Sequence, residues 1–299
     1  MFGVESGASF HYPVRPHGAT SAAGPRATVR PLALLASGRR HGPITRLITP
    51  WNIGELTTPF VFLDYAEVAA QSPPLLSIQP HSSIATLTVV LNGTLSFHDA
   101  VGGHGEVRAG GFAWMNAAHA VWRGGAASDE PLRMLQLWIS LPELRQSSAV
   151  VSEDITPQEV QPEGPASVIV GQFGRARSAL RSAPPGVNCL RVTLRDGQRW
   201  HYGAPDGHNV TWLAVDRGGL QLQEGERVHC GQLAVFGDSG GVIEAQADGA
   251  TSFVLGSARR QPRPPALNEY PLRASVAALV QAEPQRQWIA SRLRAQDRR

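Results

Sequence analysis

From Leu56 onward the chain consists of short apolar runs separated by turn residues: Phe60-Val61-Phe62-Leu63, Thr86 to Leu91, Thr94 to Phe97, Gly111 to Met115 and Leu135 to Ile139. Runs of this length joined by glycine-containing turns predict β-strands, and many of them in succession predict a barrel or sandwich. The ends differ. Residues 1–28 mix Gly, Ala, Ser, Pro and Arg without period, which predicts a disordered leader. Near the other end Leu272, Val276, Leu279 and Val280 fall at helical spacing, Pro284 suits the first turn of a second helix, and Trp288, Ile289 and Leu293 extend the stripe. This tail is expected to form short helices docked on the β part, with Arg292, Arg294, Arg298 and Arg299 solvated.

The middle of the chain repeats itself. Thr86 to Phe97 reads TLTVVLNGTLSF and Thr211 to Leu222 reads TWLAVDRGGLQL, which sets Gly93 on Gly218 at an offset of 125. Gly110 to Asn116 reads GGFAWMN and Gly231 to Gly237 reads GQLAVFG, at an offset of 121. The change of four falls in a turn, where loop length is cheap to vary. Two matches in one order predict a duplicated β unit. The polar stretch Ser148 to Gln161 reads as the linker. The predicted organisation is a leader at 1–28, an N-terminal barrel at 29–150, a C-terminal barrel at 151–262 and a helical tail at 263–299.

At 299 residues each half can bury its own core without staples. No apolar run approaches the length of a membrane-spanning helix, no secretory signal is legible, and two cysteines are too few for a disulfide framework. A cytoplasmic protein without a membrane partner is the expectation. The net charge of +3 conceals an asymmetry: basic residues concentrate at the two ends, and the middle carries about −8. That excludes a basic groove for nucleic acid across the fold. Every Lys+Arg residue is arginine, so Schiff-base chemistry and a phosphate-loop lysine are excluded. No nucleophile elbow or dinucleotide fingerprint is present. Cys189 and Cys230 read as buried thiols, Asp64 as a turn or cap residue after an apolar strand, and the His201, Asp206 and His208 cluster as a Pro/Gly turn.

Four segments together resemble the pirin family of double cupin barrels: TTPFVFLDYAEV (Thr57 to Val68), QPHSSIATLTVVLNGTLSFHDA (Gln79 to Ala100), GGFAWMNAAHAV (Gly110 to Val121) and LQLWISLP (Leu135 to Pro142). The resemblance covers roughly residues 40–285 and is specific in the first barrel. It implies an all-β fold of two stacked cupin-type (jelly-roll) β-barrels, with a metal site, usually iron, in the N-terminal one. It also implies three His and one Glu as ligands. The stretch that supplies the first two His is here Gln79-Pro80-His81, and the stretch that supplies the others aligns so that Arg123 replaces the third His and Gly125 the Glu. His81 is the one family ligand retained. A guanidinium stays protonated and offers no lone pair, glycine offers no side chain, and an amide oxygen at Gln79 coordinates weakly.

The resemblance with this ligand set predicts a bicupin without a metal cofactor, iron being the alternative, that binds a small molecule or a protein partner through the N-terminal pocket. Gln79, His81, Trp114, His119 and Arg123 are the pocket candidates, with His81 and Arg123 carrying any chemistry. A site re-formed from His81 and His119 with His98 or His104 is the metal-binding variant. Arg123 either holds an anionic ligand or pairs internally with Glu106 or Glu130, and His81 either lines the site or pairs with Asp99. Two enzymes compete with the binding protein: a metal-dependent dioxygenase of quercetinase type, and a metal-independent isomerase or cyclase in which His81 transfers protons and Arg123 clamps an anion.

Overall fold

The computed structural model describes residues 28–49, 53–70, 76–81, 84–99, 104–117, 121–127, 129–141, 151–223 and 225–261, with backbone pairing alone for 76–81, 98–99 and 121–127. The expected helical tail and all of the leader but Thr28 lie outside the described residues. No helix among them is long and apolar enough to cross a membrane.

The N-terminal half carries β1 (Leu32–Ser37), β2 (Arg39–His41), β3 (Ile44–Ile48), α1 (Gly54–Thr57), β4 (Phe60–Val68), β5 (Leu76–His81), β6 (Ile84–Asn92), β7 (Thr94–Asp99), β8 (His104–Arg108), β9 (Phe112–Ala117), β10 (Val121–Ala127), β11 (Leu132–Ser140) and β12 (Val151–Ile155). The C-terminal half carries β13 (Pro162–Glu163), β14 (Ala166–Val170), β15 (Gln172–Phe173), β16 (Ala176–Arg177), β17 (Val187–Leu194), β18 (Arg199–Gly203), β19 (Val210–Leu222), β20 (Arg227–His229), β21 (Gln232–Phe236) and β22 (Val242–Ala258). A seven-stranded sheet in the order β12-β9-β6-β11-β4-β3-β2 and a four-stranded sheet β5-β10-β7-β8 form the N-terminal unit. A nine-stranded sheet runs β1-β21-β19-β22-β17-β14-β13, with β18 on β22 and β20 on β19. The fold is all-β and of jelly-roll type, in open sheets rather than closed barrels.

The duplication extends to the hydrogen bonds. Thr86 opposes Met115 and Leu87 opposes Trp114, and at the two offsets Thr211 opposes Phe236 and Trp212 opposes Val235. The amide of Gly110 donates to Val90 O as that of Gly231 donates to Val215 O, each at 2.9 Å. Gly93 and Gly218 both turn with positive φ, 77° and 73°. A Cβ would run into the Pro131 carbonyl at the first and the Ala250 carbonyl at the second, so both turns require glycine.

Side chains alternate across each strand, so each large sheet has two distinct faces. One face of each is apolar, and the two meet. Leu63, Leu87, Trp114 and Leu137 from the first half and Cys189, Trp212, Val235 and Val254 from the second share one buried cluster. Phe60 meets Trp212 edge-on across it at 5.3 Å. Two strands tie the halves further. β1 pairs β21 at the edge of the C-terminal sheet, and β12 pairs β9 in the N-terminal one. The chain thus crosses between units at residues that a division at 150 assigns to the other half.

A polar latch closes the edge of this layer. Arg133 donates from Nε to Tyr65 Oη at 2.7 Å and from Nη2 to Asp216 O and Oδ2 at 2.8 and 3.2 Å. Ser252 Oγ donates to the same carboxylate, which is 4% exposed. Removing one partner of a buried pair strands the other charge. Arg133→Met is therefore expected to lower unfolding stability by about 3 kcal/mol in urea titration; a loss indistinguishable from a surface substitution would contradict the latch.

Candidate functional site

The inward faces of the two large sheets differ. In the N-terminal unit Gln136 opposes Asp64 on one side and Thr88 on the other, and Thr88 opposes Ala113. The same row in the C-terminal unit is Leu190, Leu255, Leu213 and Ala234. All three leucines are fully buried in the cluster that fills that interior. In the N-terminal unit the interior apolar residues instead split into two groups. Val90, Leu95, Val107 and Met134 lie on one side, and Phe62, Ile84 and Trp138 on the other. The polar row lies between them, with Thr86 beside it on the next row.

The small sheet adds the residues singled out in the sequence. Arg123 opposes Gln79 on β5 and Asp99 on β7, so the three form one cross-strand row. Directly opposed residues share a face. By alternation from Asp99 this is the face of Leu95 and Phe97, which belong to the interior cluster. His81 opposes Val121, two positions along on the same face. Backbone register thus brings Gln79, His81 and Arg123 together, and adds Asp99 as the carboxylate neighbour of Arg123.

Other expectations change. Trp114 is fully buried in the layer between the halves, on the opposite face of β9 from Met115, and does not line this interior. Its neighbour Leu87 on β6 faces the same way, because both follow the alternation that buries that layer. His119 lies outside the described residues. His98 and His104 oppose one another on β7 and β8, at the alternate register from Asp99, and His104 is exposed. Glu106 and Glu130 sit outside, bonded to the hydroxyls of Ser96 and Thr94. Cys230 is exposed, not buried. Cys189 is fully buried, which pushes its thiol up to about 12.

Asp64 is no cap residue; it lies inside β4 because Arg46 meets its carboxylate with both arms of the guanidinium, each at 3.0 Å. The Arg46 guanidinium also stacks 4.5 Å from the Phe62 ring. Asp64, Thr86, Thr88 and Gln136 were missed as site residues, yet a signal existed. They occupy every second position of strands whose inward neighbours are apolar, and the internal echo sets Thr88 on Leu213.

In the C-terminal unit the corresponding place is filled. Leu222 opposes Ala245 as Phe97 opposes Gly125, which puts Ile243 at the place of Arg123 and its partner Tyr202 at that of Gln79. Tyr202 Oη bonds Ser257 Oγ at 2.7 Å, and its ring stacks on Trp200.

For a cation, the N-terminal positions supply one imidazole, one amide, one guanidinium and no side chain at Gly125. This donor set does not fit a transition metal held by three His and one Glu. Among the described residues no group of three or more His, Cys, Asp or Glu side chains is placed to hold a metal.

Residues 44–139 match the family model described as Pirin. The chain is 28% identical to a Pseudomonas aeruginosa protein provisionally named as a quercetin 2,3-dioxygenase, over 75% of this chain and 85% of the relative. A quercetin 2,3-dioxygenase crystal structure from Acinetobacter baumannii superposes with a TM-score of 0.78 at 21% identity, covering 87% of this chain and 97% of that one. The Escherichia coli pirin YhhW in complex with nickel(II) superposes with a TM-score of 0.61 at 18% identity, covering 76% and 100%.

The site carries one pH-dependent test. Burial pushes the Asp64 carboxyl up, against the Arg46 guanidinium that pulls it down, and the net direction is upward. Its contribution to stability is then fully present below the ordinary carboxylate pKa and is lost as pH rises through the raised value. Asp64→Asn removes that loss. The variant should gain stability relative to the parent as pH rises above the ordinary aspartate pKa of about 4 in urea titrations; a gap that widens against the variant would reverse the assignment.

Proposed function

We propose that the chain is a pirin-type cupin protein that binds an anionic small molecule in the N-terminal unit through Arg123, in place of a catalytic metal. The row Gln79, Arg123, Asp99 carries this reading. A guanidinium on an interior face needs acceptors, since a buried unpaired charge is very costly. Asp99, opposite Arg123 in register, is placed to balance part of that charge, and the planar fork of a guanidinium can take a carboxylate, phosphate or enolate on a second edge. Asp64, Thr88 and Gln136 supply further polar groups on the facing sheet, so a ligand with hydroxyl or amide groups finds partners at its other end. A regulatory role, in which the loaded protein meets a protein partner, belongs to the same reading. His81 on the face of Arg123 leaves a metal-independent proton transfer open to the same site.

The rival is the metal-dependent dioxygenase. The names of the Pseudomonas and Acinetobacter relatives and the nickel complex of the Escherichia coli pirin favour it. The donor set favours the binding protein. Elemental analysis of protein purified without a histidine tag separates them: substoichiometric iron, nickel and copper are expected, and near-stoichiometric metal overturns the proposal. The combined substitution Gln79→His, Arg123→His and Gly125→Glu rebuilds the family's ligands and should confer metal uptake that the parent lacks.

A further inference from the structure

We propose that the C-terminal unit carries an acid-opened clasp: residues 28–31 are fastened to its end through the loop of His208, and protonation of His208 releases them. The strap is held by its backbone. Val242 N donates to Thr28 O at 2.8 Å, Arg30 N to Val242 O at 2.9 Å and Gly237 N to Pro31 O at 2.8 Å. It lies directly on the end of the sheet, for a Cβ on Gly241 would meet Arg30 N, Thr28 O and Val29 C at 2.6 Å. Arg30 is 2% exposed; its Nε donates to Gly237 O at 2.7 Å and its Nη1 to His208 O at 3.2 Å. The carbonyl of His208 thus holds the guanidinium of the strap.

The imidazole of the same residue ends a chain of hydrogen bonds whose direction is set at its far end. Asn188 Oδ1 accepts from Gln172 N at 3.2 Å and Asn188 Nδ2 donates to Gln172 O at 2.8 Å, which settles how the amide lies. The same Nδ2 donates to Tyr202 Oη at 3.3 Å. Tyr202 therefore gives its own proton to Ser257 Oγ at 2.7 Å, and Ser257 gives its proton to His208 Nδ1 at 2.8 Å. This order requires a bare Nδ1, as in the neutral ring. A proton on Nδ1 reverses it: Ser257 accepts from the ring, turns its hydroxyl to Tyr202 and strands the phenol proton of a side chain only 1% exposed. The surrounding charges act in the same sense. Burial first, then Arg259 and Arg30, holds the imidazole below its ordinary pKa. Arg259 lies on the loop itself, its Nη2 2.9 Å from where a Cβ on Gly207 would stand. Of the nearby carboxylates, Asp238 is bonded to Asn209 Nδ2 and Asp206 is exposed. The row of Asn188, Ser257 and Thr211 corresponds to Phe62, Trp138 and Thr86 in the N-terminal unit, so the chain is no part of the duplicated scaffold. The clasp is independent of Arg123 and of the reading given above.

A group whose folded-state pKa is depressed gives stability that is present above its ordinary value and lost as pH falls through the folded one. The test is amide hydrogen exchange on the full chain at about pH 7 and about pH 5, corrected for intrinsic rates, beside an NMR titration of the His208 ring. Protection of the Arg30 and Val242 amides should fall roughly tenfold on acidification, a factor within reach of one stranded buried donor, while the amides of β11 keep theirs. In His208→Asn, whose amide oxygen takes the place of Nδ1 and does not titrate, the fall should vanish. Arg259→Gln, at an exposed position, removes one like charge and should move the ring's titration and the opening together to higher pH. Equal loss of protection in the parent and in His208→Asn, loss spread evenly over both units, or an opening that stays in place while Arg259→Gln moves the titration would overturn the proposal.

Discussion

Period-two alternation is the constraint on which the molecule rests. Each half builds one large sheet with the same register, and burying those sheets against each other demands that every second residue be apolar. Leu87, Trp114 and Leu137 meet that demand on one side, and Trp212, Val235 and Val254 on the other. With stability drawn from the shared layer, the inward faces are free to diverge. One half fills its interior with Leu190, Leu213 and Leu255. The other sets Asp64, Thr88 and Gln136 in the same row. Burying such groups costs free energy unless something answers their hydrogen bonds; Arg46 answers Asp64, and Thr88 and Gln136 are the groups that the proposal gives to a ligand.

Much of this was legible in the sequence. Strand runs and the offset between Gly93 and Gly218 announced the duplication, and the positive φ at both glycines gives the reason. Arg123 and Gln79 were marked as pocket candidates through the resemblance, and backbone register sets them opposite one another. Pairing across strands was not legible. Asp99 lies far along the chain from Arg123, and neither residue type betrays that they are opposed. The same blindness put Trp114 in the pocket and Asp64 in a turn. Parity would have corrected the first, since Trp114 alternates with Met115; the second needed Arg46, on another strand. The crossing of β1 and β12 between units was hidden for a similar reason, because edge strands carry no signal of which sheet they join.

The replaced ligands give the reading its chemical sense. A site that gathers electron donors around a cation tolerates neither a permanent cation nor a missing side chain. Under the proposal, the strand row of Arg123 and Asp99 exchanges metal coordination for hydrogen-bonded recognition. The C-terminal unit took a different course, closing the equivalent place with Tyr202 and Ile243.

The contrast between a hollow and a filled unit is testable by filling. The double substitution Thr88→Leu and Gln136→Leu writes the C-terminal row into the N-terminal unit, and its unfolding free energy from urea titration is the decisive quantity. If the polar row faces open space, the variant folds with stability equal to or above that of the parent, because two leucines gain burial without displacing neighbours. A loss of about 1–3 kcal/mol, the signature of overpacking, would mean that the interior is already full and would contradict the account.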